Sequence, residues 1–215
     1  LKVDLVISFV HVTNVLTILA MKGTSTPVIV CEESDPSSSP SSGLWRLLRW
    51  LTYRAAARVV VHSNGARAWF GRRLCSQVIT VPNAVIVPQS ASPTPPQQRE
   101  KLFLSVGRLG AEKGYDLLLK AFARVTQSSP EWRLLILGEG SERAQLEKHV
   151  VELNLQERVS LPGTEPSPWA HYRRAPIFVS SSRHEGFGIA LCEAMASGCA
   201  VIATDCPSGP KEIVE

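Results

Sequence analysis

Two glutamates, Glu185 and Glu193, stand seven uncharged residues apart in SSRHEGFGIALCEAMASG, Ser181 to Gly198. Carboxylates accept short, strong hydrogen bonds from hydroxyl groups, so a sugar or ribose is one class of partner. Gly186 and Gly188 permit backbone geometry that other residues resist. The N–H groups of Phe187, Gly188 and Ile189 can then point at a ligand's oxygens from a helix N-terminus. The pattern predicts that helix over Ile189–Ser197, apolar on nearly every side and therefore buried. Glu193 would lie inside it, and a buried carboxylate without partners costs several kcal/mol. Its partner is either a backbone donor or structural arginine, or else a sugar hydroxyl, and spacing alone leaves the two balanced.

A second stretch, SVGRLGAEKG from Ser105 to Gly114, leaves an apolar run through a glycine and turns again at Gly110. It delivers Arg108 and Lys113 just before a helix expected from Tyr115. An arginine fork, a lysine point charge and free N–H groups at a helix start suit a phosphate or diphosphate. Two solvated basic residues on a turn are the plainer alternative. A third stretch, LGEGS from Leu137 to Ser141, reads equally well as a nucleotide contact or a simple turn, with Ser141 placed to cap the next helix.

All three stretches follow strand-like runs, which is where open α/β sheets bind ligands. Short β-branched runs at Leu5–Val10, Val28–Cys31, Val59–His62 and Val78–Val81 alternate with helical patterns. The alternation resumes with strands at Leu102–Val106, Trp132–Leu137, Val159–Leu161, Ile177–Ser180 and Ala200–Ala203. Between the two series lies SASPTPPQQRE, aperiodic and rich in Pro, Ser and Gln. The expected organisation is therefore a partial Rossmann-like unit over 1–90, a linker over 91–99 and a second Rossmann-like unit over 100–215.

At 215 residues, 44% of them hydrophobic and 20% charged, the composition is that of a globular protein. No uninterrupted apolar run is long enough to span a bilayer. The five cysteines are odd in number and lack a C-x-x-C pair, which favours reduced thiols over a metal site and points to a cytoplasmic protein. The net charge of +4 is uneven: from Pro36 to Arg99 there are eight arginines and no acidic residue. Within that stretch Leu44, Leu47, Leu48 and Leu51 suggest one packing face of a helix. Arg46, Arg49, Trp50 and Tyr53 gather on the other, suited to an anionic membrane surface on the inner leaflet. A solvated helix face is the alternative. Nucleic acid is not expected, because no recognition module accompanies the charge.

The spacing of Glu185 and Glu193 resembles the Glu-x7-Glu motif of family 4 retaining glycosyltransferases, enzymes of the two-Rossmann GT-B fold. SVGRLGAEKGYDLLLKAF (Ser105–Phe122), LLILGEGSERAQLE (Leu134–Glu147) and DCPSGPKEIV (Asp205–Val214) extend the resemblance in the family's order. VIVCEESDP (Val28–Pro36) and the helix after it resemble members that extend bacterial surface glycans. The resemblance implies an α/β GT-B architecture, with the N-terminal domain incomplete and the C-terminal domain truncated at its end. It further implies a metal-independent hexosyltransferase without cofactor, whose donor is a UDP- or GDP-linked sugar and whose acceptor is a glycan or lipid-linked saccharide.

By the same resemblance, Arg108 and Lys113 hold the donor diphosphate, and Glu185 sits beside the donor sugar with the N–H groups of Phe187, Gly188 and Ile189. Glu193 binds ribose, and Asp205–Pro210 favours UDP-linked galactose or N-acetylgalactosamine. No acceptor-side residue is carried over; His11, after the first strand, reads as structural. A nucleotide-sugar epimerase of the same fold and a non-catalytic nucleotide-sugar-binding or membrane-docking module are the alternatives.

Overall fold

The structure, a computed structural model, describes residues 3–37, 43–74, 77–88 and 94–214. The serine-rich patch at 38–42, Cys75 and residues 91–93 of the expected linker lie outside them.

The first half is a parallel sheet in the order β1-β2-β3-β4, formed by β1 (Val6–Phe9), β2 (Val28–Glu32), β3 (Arg58–Val61) and β4 (Val78–Thr80). Crossovers run through α1 (His11–Ala20), α2 (Gly43–Thr52) and α3 (Asn64–Leu74). The second half is a parallel sheet in the order β7-β6-β5-β8-β9. Its strands are β5 (Leu102–Val106), β6 (Arg133–Leu137), β7 (Val159–Gly163), β8 (Ile177–Ser180) and β9 (Ala200–Ala203). Connecting them are α4 (Tyr115–Ser128), α5 (Arg143–Glu152), α6 (Trp169–Arg174) and α7 (Ile189–Ala196), and α8 (Pro210–Ile213) follows β9. The nine strands of the described residues fall on the runs expected from β-branched composition, because strands of a parallel sheet joined by crossover helices read as near-continuous apolar segments.

In the second sheet the chain leaves β5 in one direction to β6 and returns on its other side to β8, which pairs with β5 at Phe103 and Leu104. That reversal opens a crevice at the carboxyl ends of β5 and β8. Ser105–Gly114 and Ser181–Gly188 both emerge there. Apolar packing on both sides of the sheet fixes the strands, with Leu119, Phe122 and Ile136 on one side and Leu104, Tyr172 and Phe178 on the other.

Three local expectations are corrected. Helix α2 packs largely by the face expected outward: Arg49 and Tyr53, expected there with Arg46 and Trp50, are 1% and 0% exposed, whereas Leu44, Leu47 and Leu51 are more than half exposed and, of the expected leucine face, Leu48 packs against the core. The cause lies on β2, where Glu32 is buried and draws both residues inward. Arg49 Nη1 is 3.7 Å from Glu32 Oε1, and the Tyr53 hydroxyl donates to the same oxygen at 2.5 Å. Asn14 Nδ2 donates to the Tyr53 hydroxyl and to the Cys31 carbonyl, and the Arg49 guanidinium lies 4.6 Å from the Trp69 ring centroid. Trp50 is itself half-buried, stacked on Trp69, which leaves Arg46 as the exposed member of the expected group. Helix α5 begins at Arg143 with Glu142 as its N-cap residue, so Ser141 does not cap it. Helix α7 buries only Leu191 and Ala194; Ile189 and Met195 are exposed, so the helix is less enclosed than its composition suggests.

Candidate functional site

The two loops at the switch point form one side of a cavity of about 450 Å³, lined by Arg108, Lys113, Glu185, Phe187, Gly188, Ile189 and Glu193. The seven residues expected to hold a donor thus face one space. Glu33 and Asn83 of the first half close it from the opposite side.

Lys113 ends a short 3-10 turn, Ala111–Lys113, that follows Gly110. Its Nζ lies 2.6 Å from Glu185 Oε1, and the Ser182 hydroxyl donates to the same oxygen at 2.7 Å. Arg108 is 74% exposed and folded onto Glu112 at 2.8 Å. Burial opposes ionisation of the Glu112 carboxyl, but a hydrogen bond from its own backbone and the Arg108 guanidinium outweigh it and hold the group below the usual carboxylate range. Both expected cations are therefore at the crevice, one on the site carboxylate and one at the rim. The two loops are strapped together by Arg183, whose guanidinium donates to both oxygens of Asp116 at 2.8 Å and to the Ala111 carbonyl.

Gly188, with φ of 106°, is the N-cap residue of α7. Among the described residues, the N–H groups of Phe187, Gly188 and Ile189 donate to no backbone acceptor outside the helix pattern, and they sit at the cavity wall. That end of α7 also carries the positive end of the helix dipole. One turn on, Glu193 Oε2 accepts the Tyr172 hydroxyl at 2.9 Å. The partner is thus neither a backbone donor nor an arginine but a buried tyrosine of α6. Desolvation, and after it the Glu193 charge, pushes the Tyr172 hydroxyl well above the usual phenol range, so it stays a donor. Glu193 also lines the cavity, and the Tyr172 contact engages only its Oε2.

The LGEGS stretch acts as a brace. A Cβ on Gly138 would lie 2.0 Å from the Gly107 carbonyl oxygen, and one on Gly140 2.3 Å from that of Leu109. Only glycines let this loop press against the Arg108 loop, where Leu109 donates to the Glu139 carbonyl and Glu142 donates back to Leu109.

On the first-half side, a second cavity of about 550 Å³ continues from the first, lined by His11, Glu33, Asp35, Lys113, His184 and Glu185 among others. His11 opens α1 at this wall, its imidazolium disfavoured by burial and then by Arg49. The sequence reading did not single out Glu33. His62 Nδ1 lies 2.9 Å from the Val81 carbonyl oxygen, which can only accept, so Nδ1 carries the proton. Nε2 then faces Glu33 Oε1 at 3.3 Å, an attractive contact when the ring carries both protons. Glu33 and His62 are distant in sequence, and only strand order brings them together.

Two parallel Rossmann-like layers facing each other across a crevice, with cations and carboxylates at the strand ends, define the GT-B class of glycosyltransferase fold. The profile of the Glycosyl transferases group 1 family matches residues 88–215, and the chain belongs to that family. Its relatives include the N-acetylgalactosamine-N,N'-diacetylbacillosaminyl-diphospho-undecaprenol 4-alpha-N-acetylgalactosaminyltransferase of Campylobacter jejuni, 39% identical over 54% of this chain and 31% of the relative. The lipopolysaccharide 1,6-galactosyltransferase of Salmonella typhimurium is 31% identical over 77% of this chain and 47% of its own length. The chain therefore spans less than half of either enzyme. Among solved structures, that of Anabaena HepE in complex with UDP-glucose superposes with a TM-score of 0.86 at 21% identity, covering 99% of this chain and 62% of that one.

Proposed function

We propose that the crevice holds a nucleotide diphosphate sugar, UDP- or GDP-linked, and that the protein transfers its hexosyl group to a glycan or lipid-linked saccharide with retention of anomeric configuration. The observation that carries this reading is the convergence of Arg108, Lys113, Glu185, Glu193 and the α7 N-terminus on one cavity at the switch point of the second sheet. Names of relatives that act on undecaprenol-linked or lipopolysaccharide acceptors support the acceptor class. On this reading the units are 1–90 on the acceptor side and 100–215 on the donor side.

The chemistry follows from charge. Cleavage of the donor leaves negative charge on the diphosphate, and cations fixed nearby lower the barrier. Lys113 and Arg108 supply that charge directly, which makes the reaction metal-independent and requires no cofactor. Each cation is held by a carboxylate beforehand, so an arriving diphosphate competes with Glu185 and Glu112. Glu185, once released, turns its oxygens to the hydroxyls of the donor sugar, while Glu193 accepts from ribose with the oxygen that Tyr172 leaves open. A cytoplasmic setting is part of the proposal. An anionic membrane surface is a further proposed partner, through Arg46 and the outward leucines of α2 in place of Arg49 and Tyr53.

Calorimetric titration of the protein with UDP, GDP and their hexose conjugates tests the donor reading. Binding of one nucleotide family, weakened by at least tenfold in Arg108→Ala with Lys113→Ala, is expected. Unchanged affinity in that double variant would remove the phosphate-clamp assignment.

A further inference from the structure

The segment from Asp205 to Val214 touches both halves of the molecule at once. Its Glu212 carboxylate reaches across to the start of α3: Asn64 N–H donates to Oε2 and Gly65 N–H to Oε1, both at 2.8 Å. The next amide, Ala66, is taken by the Ser63 hydroxyl. One residue of the second half therefore caps two of the orphan donors of a first-half helix, and its charge suits the positive end of that helix. The contact is backed by close packing. A Cβ on Gly65 would lie 2.9 Å from the Pro207 carbonyl oxygen and 3.3 Å from Ser208 Cβ.

The same segment is also fastened to the site loop. The buried Ser208 hydroxyl donates to the Glu185 carbonyl at 2.5 Å. Gly209, with φ of 85°, passes so near the Phe187 carbonyl that a Cβ would stand 2.3 Å from its oxygen. Glu185 and Phe187 thus take their backbone positions partly from a segment whose far end is anchored on the opposite half.

We infer that Glu212 is a positioning residue: its bidentate cap on α3 holds the 205–212 segment in place, and through Ser208 and Gly209 that segment sets the loop carrying Glu185 and Phe187. The assignment rests on the donor-site reading for its catalytic meaning, but the mechanical link does not. It couples closure of the crevice to the geometry of the loop that faces the donor. Opening the two halves breaks the cap and the packing of Gly65 on Pro207 and Ser208, the parts of the link that cross between them.

Hydrogen exchange on the protein tests the link, with Glu212→Ala and Gly65→Ala as variants. The second leaves Glu212 intact and pushes the contact apart through the Pro207 carbonyl. Loss of a helix cap shifts a local opening equilibrium by about five- to tenfold, so exchange of the Asn64 and Gly65 amides should rise by that factor in Glu212→Ala. A merely local cap would stop there. Positioning requires faster exchange at 183–191 as well, in both variants, with partial recovery in Glu212→Gln, which keeps one acceptor oxygen. Exchange at 183–191 equal to the parent protein in either variant overturns the inference. Added UDP separates the two readings. Protection of 105–113 and 186–193 by UDP supports the donor site, and its absence removes that site while leaving the 183–191 comparison decisive for Glu212.

Discussion

Lys113 and Glu185 form the tightest ionic contact of the site, and each residue limits what the other can do. Losing Lys113 removes a charge-assisted contact to diphosphate worth roughly 1.5–3 kcal/mol, so Lys113→Ala should bind UDP about ten- to hundredfold more weakly by calorimetry. Glu185→Gln removes the competitor at 2.6 Å and should bind UDP at least as tightly as the parent, while losing sugar transfer. A Glu185→Gln variant with UDP affinity reduced tenfold would mean that the carboxylate organises Lys113 instead of competing for it. Glu193 offers a cleaner test, because Tyr172 already satisfies one of its oxygens. Glu193→Gln should weaken UDP binding, whereas a 2′,3′-dideoxy analogue should bind parent and variant alike. A penalty that persisted with the dideoxy ligand would assign Glu193 to the Tyr172 contact alone. The gathering of these residues on one cavity was legible because they lie within two short stretches that follow strands. Tyr172, Glu33 and His62 were not, since their relevance comes from contacts between residues 21 to 29 positions apart and no local pattern encodes it.

At the scale of elements, periodicity placed every strand of both sheets but misjudged how α2 is turned. A helix that, with its 3-10 continuation, carries four leucines, three arginines and three aromatics has two defensible packing faces, and the deciding residue is on a strand. Glu32 buried on β2 requires Arg49 and Tyr53, and Leu44, Leu47 and Leu51 are left outside while Leu48 packs against the core. Burial raises the Glu32 pKa despite the opposing pull of Tyr53 and Arg49. A carboxyl whose folded pKa is raised contributes stability below its unfolded pKa and loses it as pH rises through the folded value. Removing Arg49 leaves an uncompensated buried carboxylate, a loss of about 3–5 kcal/mol. Arg49→Met should therefore lower stability in urea at pH 7, with the loss shrinking as pH falls and Glu32 takes a proton. Adding Glu32→Gln should recover most of it at pH 7 too. A pH-independent deficit in Arg49→Met would instead assign the residue's contribution to its stacking on Trp69.

For the whole molecule, the inverted helix changes where a membrane could be met. The basic character of the first half was legible from its composition, but the surface that carries it was not, because composition does not reveal which side of a helix is outward. Leu44, Leu47 and Leu51 stand outward on α2, Leu16 and Leu19 are half-exposed on the neighbouring α1, and Arg46 lies beside the α2 leucines. Fully burying one leucine side chain gains about 1.5–3 kcal/mol, and a nearby basic residue adds about 1 kcal/mol at an anionic surface. Two leucines inserted only partly therefore rival the charge term, and binding should need both. The protein should sediment with anionic vesicles and little with neutral ones, and added salt should weaken capture as charges are screened beyond about 8–10 Å. Leu44→Glu with Leu47→Glu should reduce partition at least tenfold, and Arg46→Glu by less. Trp50→Ala gives the contrasting result: because Trp50 stacks on Trp69, it should lower the melting temperature and leave vesicle binding of the folded protein unchanged. Equal capture by neutral and anionic vesicles, or undiminished capture after the double leucine change, would return α2 to a helix face that meets only water.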